Sequence, residues 1–446
     1  MNETSSGWQT NIYGILPHPT EPRILMRLEE TGWVLPHVHL NEAVWEAGRM
    51  SQALERELGI PTTGLRCASN CEDEVKHRID AVCVLETHGP IPEPLWSGQW
   101  VGRDQVANLR LALPEHRAVI GACLAEAESG VIPPCRAPWA LPGWYAEAAS
   151  WIQAQLAQLG YTLTGPIEQV KSWCLACVLR AHTTTGDVYL KVAAASPLFI
   201  NEPALMQGLA RLYPDHVPAP LCIDRERRWM LLADFGSELG WGAPVEVREE
   251  VLGVFGRLQI ESAQRVDELL AMGCMDRRLN VLANQIDPLL NDADVLSGLP
   301  EAEMAQLRAL APRLKAMCAT LASYNVPPAL VHGDMHMSNV ARRNGNYLFF
   351  DWTDTCIAHP FLDMIDILHE KAAAVQTRLR DRYLALWTDF EPMDRLLEMW
   401  ALAYPLCALH QAVSYRYIIA NVETTAKQDF DRDMPFWLGK ILKSLQ

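Results

Sequence analysis

An aspartate, an asparagine and a second aspartate stand close together in residues 331–351, the most informative segment of the chain. Asp334 is followed five residues later by Asn339, and Asp351 comes after a short Asn-Gly turn and an apolar run. ATP-dependent phosphoryl transfer needs one base and two oxygen ligands for a magnesium ion. The residue types and their spacing therefore predict that Asp334 is the base and that Asn339 and Asp351 bind Mg²⁺.

Two short strands should position these side chains. The Asn-Gly pair can adopt the positive φ values of a two-residue turn, so residues 340–342 and 347–350 are predicted to form a hairpin. This arrangement places Asp351 at the end of an apolar strand, close to Asn339. The interval from Asp334 to Asn339 is also that of H-R-D-x-x-x-x-N, the catalytic loop of protein kinases.

The motif H-G-D-x-H-x-x-N, which begins at His332, resembles that of the aminoglycoside phosphotransferase and choline kinase superfamily, in which Gly replaces the Arg of protein kinases. The stretch from His359 to Met364 is similar to the segment that follows the metal aspartate in that family. The resemblance implies that Asp363 braces the catalytic loop, with His332 and His336 as structural support. It also implies ATP and Mg²⁺ as cofactors. The alternative is that these polar side chains are ordinary loop residues with local hydrogen bonds.

A kinase also needs a lysine on a strand and a glutamate on a helix. Residues 175–180 and 187–192 are apolar, β-branched runs that predict a second hairpin, with Lys191 in its second strand. Asn201 is a suitable N-cap for the helix that Glu202 opens. Lys191 is predicted to hold the ATP phosphates and Glu202 to orient it. A surface lysine and a first-turn acid that complements the helix dipole are the alternatives.

Two segments depart from the protein-kinase pattern. Residues 169–174, where a glycine-rich phosphate loop would lie, contain no glycine. The tripeptide Asp234-Phe235-Gly236 spells the kinase metal motif, but it precedes Asp334 by about a hundred residues, so its order in the chain excludes that role. Residues 229–234 look instead like the strand and hinge between two lobes. Helical periodicity in residues 247–269, 304–322 and 396–445 predicts a mostly helical C-lobe.

The N-terminal third resembles a Nudix domain. Its marks are the W-x-L-P approach at Trp33, a helix-like segment over residues 43–58, and the Glu57-Leu58-Gly59-Ile60 end of that helix. The Nudix box R-E-x-x-E-E uses glutamates on one helix face to bind a divalent metal. Here Gln52-Ala53 and Arg56-Glu57 occupy the corresponding positions. A ligand-binding or packing role would survive this loss, whereas hydrolysis would not.

The predicted fold class is α+β: a protein-kinase-like bilobal fold, with a small β-rich N-lobe and a mostly helical C-lobe, preceded by a Nudix-like α/β/α domain. The predicted boundaries are 1–130 for the Nudix-like domain, 131–163 for a Pro-rich linker and capping helix, 164–238 for the N-lobe and hinge, and 239–446 for the C-lobe.

Composition limits the partners. A formal net charge of −16 argues against nucleic acid and anionic membranes, which are bound by basic surfaces, and is compatible with a cationic acceptor. The first residues lack a signal-peptide pattern and no apolar run approaches the ~20 residues of a membrane span. Twelve scattered cysteines suit reduced thiols, so a cytoplasmic protein is expected.

Three functions are consistent with the sequence. The favoured one is an ATP-dependent kinase that phosphorylates a hydroxyl of a small molecule such as an aminoglycoside, an amino alcohol or a sugar. The second is an ATP-binding or regulatory protein of kinase fold without turnover. The third is a Nudix-type nucleotide diphosphate hydrolase, which the missing glutamates oppose.

Overall fold

The computed structural model describes residues 7–45, 47–89, 98–199, 201–296 and 298–445. The chain divides into two compact units, residues 2–194 and 195–446. The first unit contains the segment predicted as the N-terminal domain, the linker, and the strands that carry Lys191. The second contains the predicted catalytic loop.

The first unit has ten described strands and four described helices. The strands are β1 (Gln9–Ile15), β2 (Arg23–Glu29), β3 (Gly32–Val34), β4 (His37–Leu40), β5 (Thr62–Asp73), β6 (Arg78–Thr87), β7 (Gly98–Gly102), β8 (Leu163–Ser172), β9 (Ala176–Thr183) and β10 (Gly186–Ala193); the helices are α1 (Ala47–Leu58), α2 (Arg103–Asn108), α3 (His116–Ser129) and α4 (Trp144–Gln158), with a 3-10 turn at Pro138–Ala140.

Two sheets form the N-terminal part of this unit. One has the order β4-β1-β6-β5, with β1 parallel to β6, and the other has the order β3-β2-β7. Alternating apolar side chains of β1 and β6 enter two clusters of buried residues, one of which includes Leu54 and Leu58 of α1. The helix begins at Ala47, four residues after the predicted start, and ends as predicted at Leu58.

The strands β8, β9 and β10 form an antiparallel meander in the same unit. Leu179 and Leu190 pair across β9 and β10 and are buried, which is the expected behaviour of β-branched and aliphatic residues on an inner sheet face. The predicted hairpin around Lys191 is therefore confirmed. Lys191 lies opposite Val178 on the half-exposed face.

The second unit is mostly helical. Its strands are β11 (Pro220–Asp224), β12 (Trp229–Ala233), β13 (Met275–Asp276), β14 (Ala329–Val331), β15 (Val340–Arg343), β16 (Asn346–Phe349) and β17 (Cys356–Ala358); its helices are α5 (Glu202–Leu212), α6 (Val245–Ser262), α7 (Val266–Ala271), α8 (Leu279–Leu290), α9 (Ala293–Leu296), α10 (Glu301–Leu321), α11 (Ile365–His369), α12 (Ala373–Leu384), α13 (Met393–Ala420) and α14 (Asp433–Leu445).

The β15–β16 hairpin is anchored in the core of the second unit. Asn344 and Gly345 have φ values of 51° and 87°, the left-handed conformations that the Asn-Gly pair predicts. Phe349 and Trp352 are fully buried and pack with Phe255 of α6. A large aromatic core beneath the hairpin fixes the residues that precede and follow it.

The helical predictions for the second unit are confirmed, with one correction at Asn201. This residue occupies the N-cap position of α5, but its side-chain amide donates to the carbonyl of Gly273 at 3.2 Å instead of capping the helix. Within the described residues, no helix has the length and apolar character that a membrane span requires.

Candidate active site

The buried carboxylate of Asp363 holds the backbone of the segment that follows β14 and leads to Asp334. Asp363 is 1% exposed and accepts hydrogen bonds from the backbone N–H groups of His332, at 2.6 Å, and Gly333, at 3.0 Å. Burial raises the pKa of Asp363 to about 7, and these two donors act in the opposite direction. The two contacts fix the backbone just before Asp334.

Gly333 is required by the conformation of this loop. Its φ is +85°, and a Cβ atom here would lie 2.4 Å from the carbonyl oxygen of Asp354 and 2.6 Å from its Cβ. On the other side, the side-chain amide of Gln411, on α13, donates to the Gly333 carbonyl at 2.6 Å. The loop is thus held from two directions, and a larger residue at this position would displace it.

Asp334 presents its carboxylate with two polar neighbours. About 45% of its side chain is exposed. The Asn339 amide donates to the Asp334 carbonyl at 2.9 Å and to Oδ2 at 3.1 Å, and His336 Nε2 lies 3.3 Å from the same oxygen. Desolvation by the surrounding protein is the largest influence and acts to raise the pKa of Asp334, but the His336 hydrogen bond and the charges of His336 and His332 together outweigh it, so the pKa lies below its ordinary value.

His336 is held by an aromatic ring. The indole of Trp241 stacks on the imidazole with ring centroids 4.4 Å apart and an interplanar angle of 23°. Burial acts to lower the pKa of His336, but the hydrogen bond and charge of Asp334 raise it above its ordinary value. The imidazole is therefore oriented as a donor toward the carboxylate.

Asn339 and Asp351 are brought together by the β15–β16 hairpin. The backbone N–H of Phe350 donates to the Asn339 carbonyl at 3.1 Å, and Asp351 follows with a left-handed φ of 63°. His332 is buried, and burial lowers its pKa to about 4. Its neutral imidazole therefore donates from Nε2 to the Phe350 carbonyl at 2.9 Å. The peptide that carries Asp351 is thereby fixed in direction.

The oxygen atoms at this site fit a magnesium ion. Because Asn339 uses its Nδ2 to donate to Asp334, its Oδ1 is left without a hydrogen-bond partner among the described residues. No three acidic, histidine or cysteine side chains of the described chain form a metal-binding group on their own. Mg²⁺ commonly binds through one or two protein oxygens together with waters and substrate phosphates, so this donor set is adequate.

Asp354 is a further acid at the site. Thr353 Oγ1 lies 3.0 Å from an Asp351 carboxylate oxygen and 3.1 Å from an Asp354 carboxylate oxygen, so its one hydroxyl proton is shared between the two carboxyl groups. Burial and the charge of Asp334 raise the pKa of Asp354 to about 7, against the opposing charge of Arg277. Arg277 is 4% exposed and donates to the Ser414 hydroxyl and the His410 carbonyl, both at 2.8 Å.

The chain matches the model of a known protein family. Residues 175–398, half of the chain, match the model of the APH phosphotransferase enzyme family. The chain belongs to this family. A search of the curated proteins found no match.

Solved structures of phosphotransferases are similar to this chain. The GDP and kanamycin complex of APH(2")-IIia is 15% identical, with 66% of this chain and 98% of that chain covered and a TM-score of 0.50. A choline/ethanolamine kinase family protein from Mesorhizobium loti (16% identity, 68% and 93% covered, TM-score 0.47) and choline kinase LicA from Streptococcus pneumoniae (12%, 67% and 98%, 0.48) are also similar. The APH(2")-IIia match, at a TM-score of 0.50, shows that the fold is the kinase-like α+β fold.

The two residues predicted to bind ATP, Lys191 and Glu202, lie in different units of this phosphotransferase. Lys191 lies on β10 of the first unit, and Glu202 opens α5 of the second, where it is 2% exposed. Their pairing stays a prediction. Asp234 follows β12, and its carboxylate accepts from the Gly236 N–H at 2.9 Å, which is a local turn contact of the kind expected for a non-catalytic aspartate.

Several contacts of the catalytic loop were not predicted. Gln411 and Trp241 reach the loop from segments 78 and 95 residues away in sequence, and one sequence carries no signal for such pairs. The sequence does place an acid, Asp354, three residues after Asp351, and this proximity could have identified it as a residue of the site. Buried Arg277, whose guanidinium donates to Ser414 on α13, is a further contact near the site that was not predicted.

Proposed function

We propose that this phosphotransferase moves the γ-phosphoryl group of Mg-ATP to a hydroxyl of a small molecule, with Asp334 as the base. The observation that carries the proposal is the orientation of the Asp334 carboxylate by Asn339 and His336, on a loop that Asp363 braces. Family membership supports the reaction type, and the geometry supports the residue roles.

Asp334 would accept the proton of the attacking hydroxyl. Its lowered pKa keeps the carboxylate ionised at neutral pH, and its exposed face leaves room for the acceptor. Hydrogen bonds from Asn339 and His336 to Oδ2 leave Oδ1 to receive the proton. A fixed carboxylate contributes mainly by orienting the nucleophile, because phosphoryl transfer depends on positioning and electrostatics.

Asn339 and Asp351 would hold magnesium through Asn339 Oδ1 and the Asp351 carboxylate. When bound, Mg²⁺ neutralises charge on the β- and γ-phosphates. Lys191 would bind the ATP phosphates, with Glu202 as its orienting partner, on the strength of the family resemblance. Twelve cysteines without disulfide bonds support a cytoplasmic location, where thiols stay reduced and ATP is supplied.

We infer that the acceptor is cationic, as in amino alcohols and aminoglycosides. Asp334, Asp351 and Asp354 place three carboxyl groups in one region, and the half-exposed Trp241 offers an aromatic face beside His336. An ammonium group is stabilised by both carboxylates and aromatic faces. The kanamycin complex of a structural neighbour supports the same class. A neutral sugar would be stabilised less by these carboxylates than an amine.

The two alternatives have less support. A regulatory protein without turnover has no use for an oriented Asp334, and Asn339 and Asp351 keep the residue types that a metal requires. A diphosphate hydrolase would depend on α1, where Glu57 forms a salt bridge with Arg27 at 3.0 Å. We therefore propose that the N-terminal part has no hydrolase activity.

A substrate screen tests the proposed function. Purified full-length protein is incubated with Mg-ATP and panels of amino alcohols, aminoglycosides and sugars, and acceptor-dependent ADP release is measured. Asp334→Asn is the blank and Asp389→Asn, an exposed change, is the matched control. We expect release with amine-bearing acceptors in the control but not in the blank. Equal release from all proteins, or none with any acceptor, would refute the proposal.

A further inference from the structure

We propose that the N-terminal part of the first unit acts as a clamp on the β8–β9 hairpin, and that Gln169 and Trp139 are positioning residues for ATP. The inference rests on the proposed function, in which this hairpin lies where kinases cover the ATP phosphates. It assigns a role to the segment that resembles a Nudix domain but lacks the glutamates of the Nudix box. All the contacts that carry it lie within the first unit.

The first contact is between helix α1 and the backbone of β8. A Cβ atom on Gly48 would lie 2.2 Å from the carbonyl oxygen of Gln169 and 2.8 Å from that of Val170. Real Cβ atoms do not approach backbone oxygens this closely, so only glycine permits the helix to lie against the strand. The first turn of α1 therefore packs directly on the strand that leads into the hairpin turn.

The second contact uses the Gln169 side chain as a bridge. Its Nε2 donates to the Gly64 carbonyl at 2.8 Å, and its Oε1 accepts from the Gly64 N–H at 2.9 Å and from the Ser51 hydroxyl at 3.4 Å. Gln169 is 9% exposed. A buried amide with both ends paired is costly to disturb, because each lost partner leaves a desolvated polar group.

Irregularities in both strands make this bridge possible. The pairing of β5 with β6 shifts between Gly64 and Arg66, and the pairing of β8 with β9 shifts between Gln169 and Lys171. A bulge redirects side chains and backbone groups away from the regular ladder. Gly64 on β5, an outer strand of its sheet, is thus open to the Gln169 amide, which pairs with it as a neighbouring strand would.

The third contact reaches the hairpin turn itself. Trp139, 3% exposed in the 3-10 turn before α4, donates from Nε1 to the Trp173 carbonyl at 2.8 Å. Trp173 lies in the turn, where its own N–H donates to Ala176 at 3.1 Å. The hairpin is thus held at its stem through Gln169 and at its turn through Trp139.

The clamp accounts for a phosphate loop that contains no glycine. A glycine-rich loop contacts phosphates because its backbone can approach them closely. Residues 169–174 contain no glycine and lack that freedom, so contacts with other segments have to fix their position. Lys171 next to the turn, with Nζ 5.0 Å from the Trp173 ring centroid, and Lys191 on β10 would then be presented to ATP in a fixed arrangement.

The test uses full-length Gln169→Met, which removes hydrogen bonds with little change in volume, and Trp139→Phe, which removes the indole N–H donor together with part of the ring. Gly48→Ala is the steric variant, and Gly121→Ala is its matched control, because a Cβ there meets nothing within 4 Å. The measurements are the KM for ATP, the KM for the acceptor, kcat, thermal melting and the calorimetric Kd for Mg-ATP. We expect the KM and Kd for ATP to rise about five- to tenfold, with kcat and acceptor KM within about twofold.

Two results would overturn the clamp. One is an unchanged Kd for Mg-ATP in both Gln169→Met and Trp139→Phe. The other is a lower melting temperature with reduced kcat and unchanged KM for ATP, which indicates a merely structural role. The Kd for Mg-ATP distinguishes failure of the clamp from failure of the proposed function. If the wild-type protein binds Mg-ATP but phosphorylates no acceptor, the proposed kinase activity is refuted, and the Kd values of the variants still test the clamp.

Discussion

The side-chain amide of Asn339 donates to both the carbonyl and the carboxylate of Asp334, at 2.9 and 3.1 Å. One side chain therefore orients the carboxylate that we propose as the base, while its Oδ1 is available to the proposed magnesium ion. The five-residue interval is short enough for the loop to close on itself, which ties the position of the proposed base to that of the proposed metal ligand.

Replacing the base should remove turnover while nucleotide binding remains. Asp334→Asn keeps the size of the side chain but cannot accept the proton of the hydroxyl. We expect kcat to fall by roughly 10²-fold or more, the scale for positioned acid–base groups, with the Kd for Mg-ATP within about twofold. Single-turnover kinetics and calorimetry measure the two quantities. Equal turnover in the variant and the wild type would remove Asp334 from this role.

The proposed metal ligand Asp351 can be distinguished by experiment from Asp234 in the similar tripeptide at residues 234–236. Asp351→Ala should abolish turnover at ordinary Mg²⁺ concentrations, because charge on the transferring phosphoryl group is no longer neutralised. Asp234→Ala should retain nearly full activity, since its carboxylate makes a local contact with the Gly236 N–H. A magnesium titration of both variants is the measurement. Similar behaviour of the two would show that the metal site is misplaced.

The brace of the catalytic loop should be sensitive to a single-atom change. Asp363→Asn replaces one acceptor oxygen with an NH₂ group, which would face the N–H of His332 or Gly333. We expect a loss of about 1–3 kcal/mol in the free energy of unfolding, the cost of a buried unpaired donor, and reduced kcat. Urea denaturation measures the first. Asp389→Asn is the exposed control, and equal stability of the two variants would contradict the brace.

The interaction between His336 and Asp334 should depend on pH with a defined sign. The pKa of His336 in the folded protein is raised above 6.5, so protons bind the folded state more tightly than the unfolded state. Its contribution is fully present below pH 6.5 and is lost as the pH rises through the folded pKa. The stability difference between wild type and His336→Asn, measured by denaturation from pH 6 to 9, should therefore shrink with rising pH. A constant difference would exclude a charged imidazole.

The sequence predicted the parts of the site that are local in the chain. The interval from Asp334 to Asn339, the Asn-Gly turn and the strand that ends at Asp351 are all encoded within about twenty residues by turn chemistry and hydrophobic pattern. The contacts of Gln411 and Trp241 with this loop depend on how distant helices and loops pack. A single sequence does not specify such packing.

The same limit applies to the first unit. The helix that ends at Leu58 was visible as a pattern. The close approach of Gly48 to Gln169, which joins segments about 120 residues apart, was not. A glycine at the start of a helix has many possible causes, and only the tertiary contact identifies which one applies.

The last prediction is that the protein does not hydrolyse dinucleotides or nucleotide sugars. A metal-activated water needs several carboxylates that hold the cation at ~2.0–2.6 Å, and Gln52, Ala53 and Arg56 provide none. Arg56 donates to the Gln52 carbonyl at 3.2 Å, and Glu57 is paired with Arg27.

The assay uses the full-length protein with Mg²⁺ or Mn²⁺, and phosphate or nucleotide release is followed by chromatography. Glu57→Gln tests the remaining acid of α1, and Asp334→Asn serves as the matched control because it removes the proposed kinase activity alone. We expect no release above the protein-free rate in any of the three. Turnover that persists in Asp334→Asn and disappears in Glu57→Gln would establish a hydrolase site on α1, because only a water activated near that carboxylate has this pattern of loss.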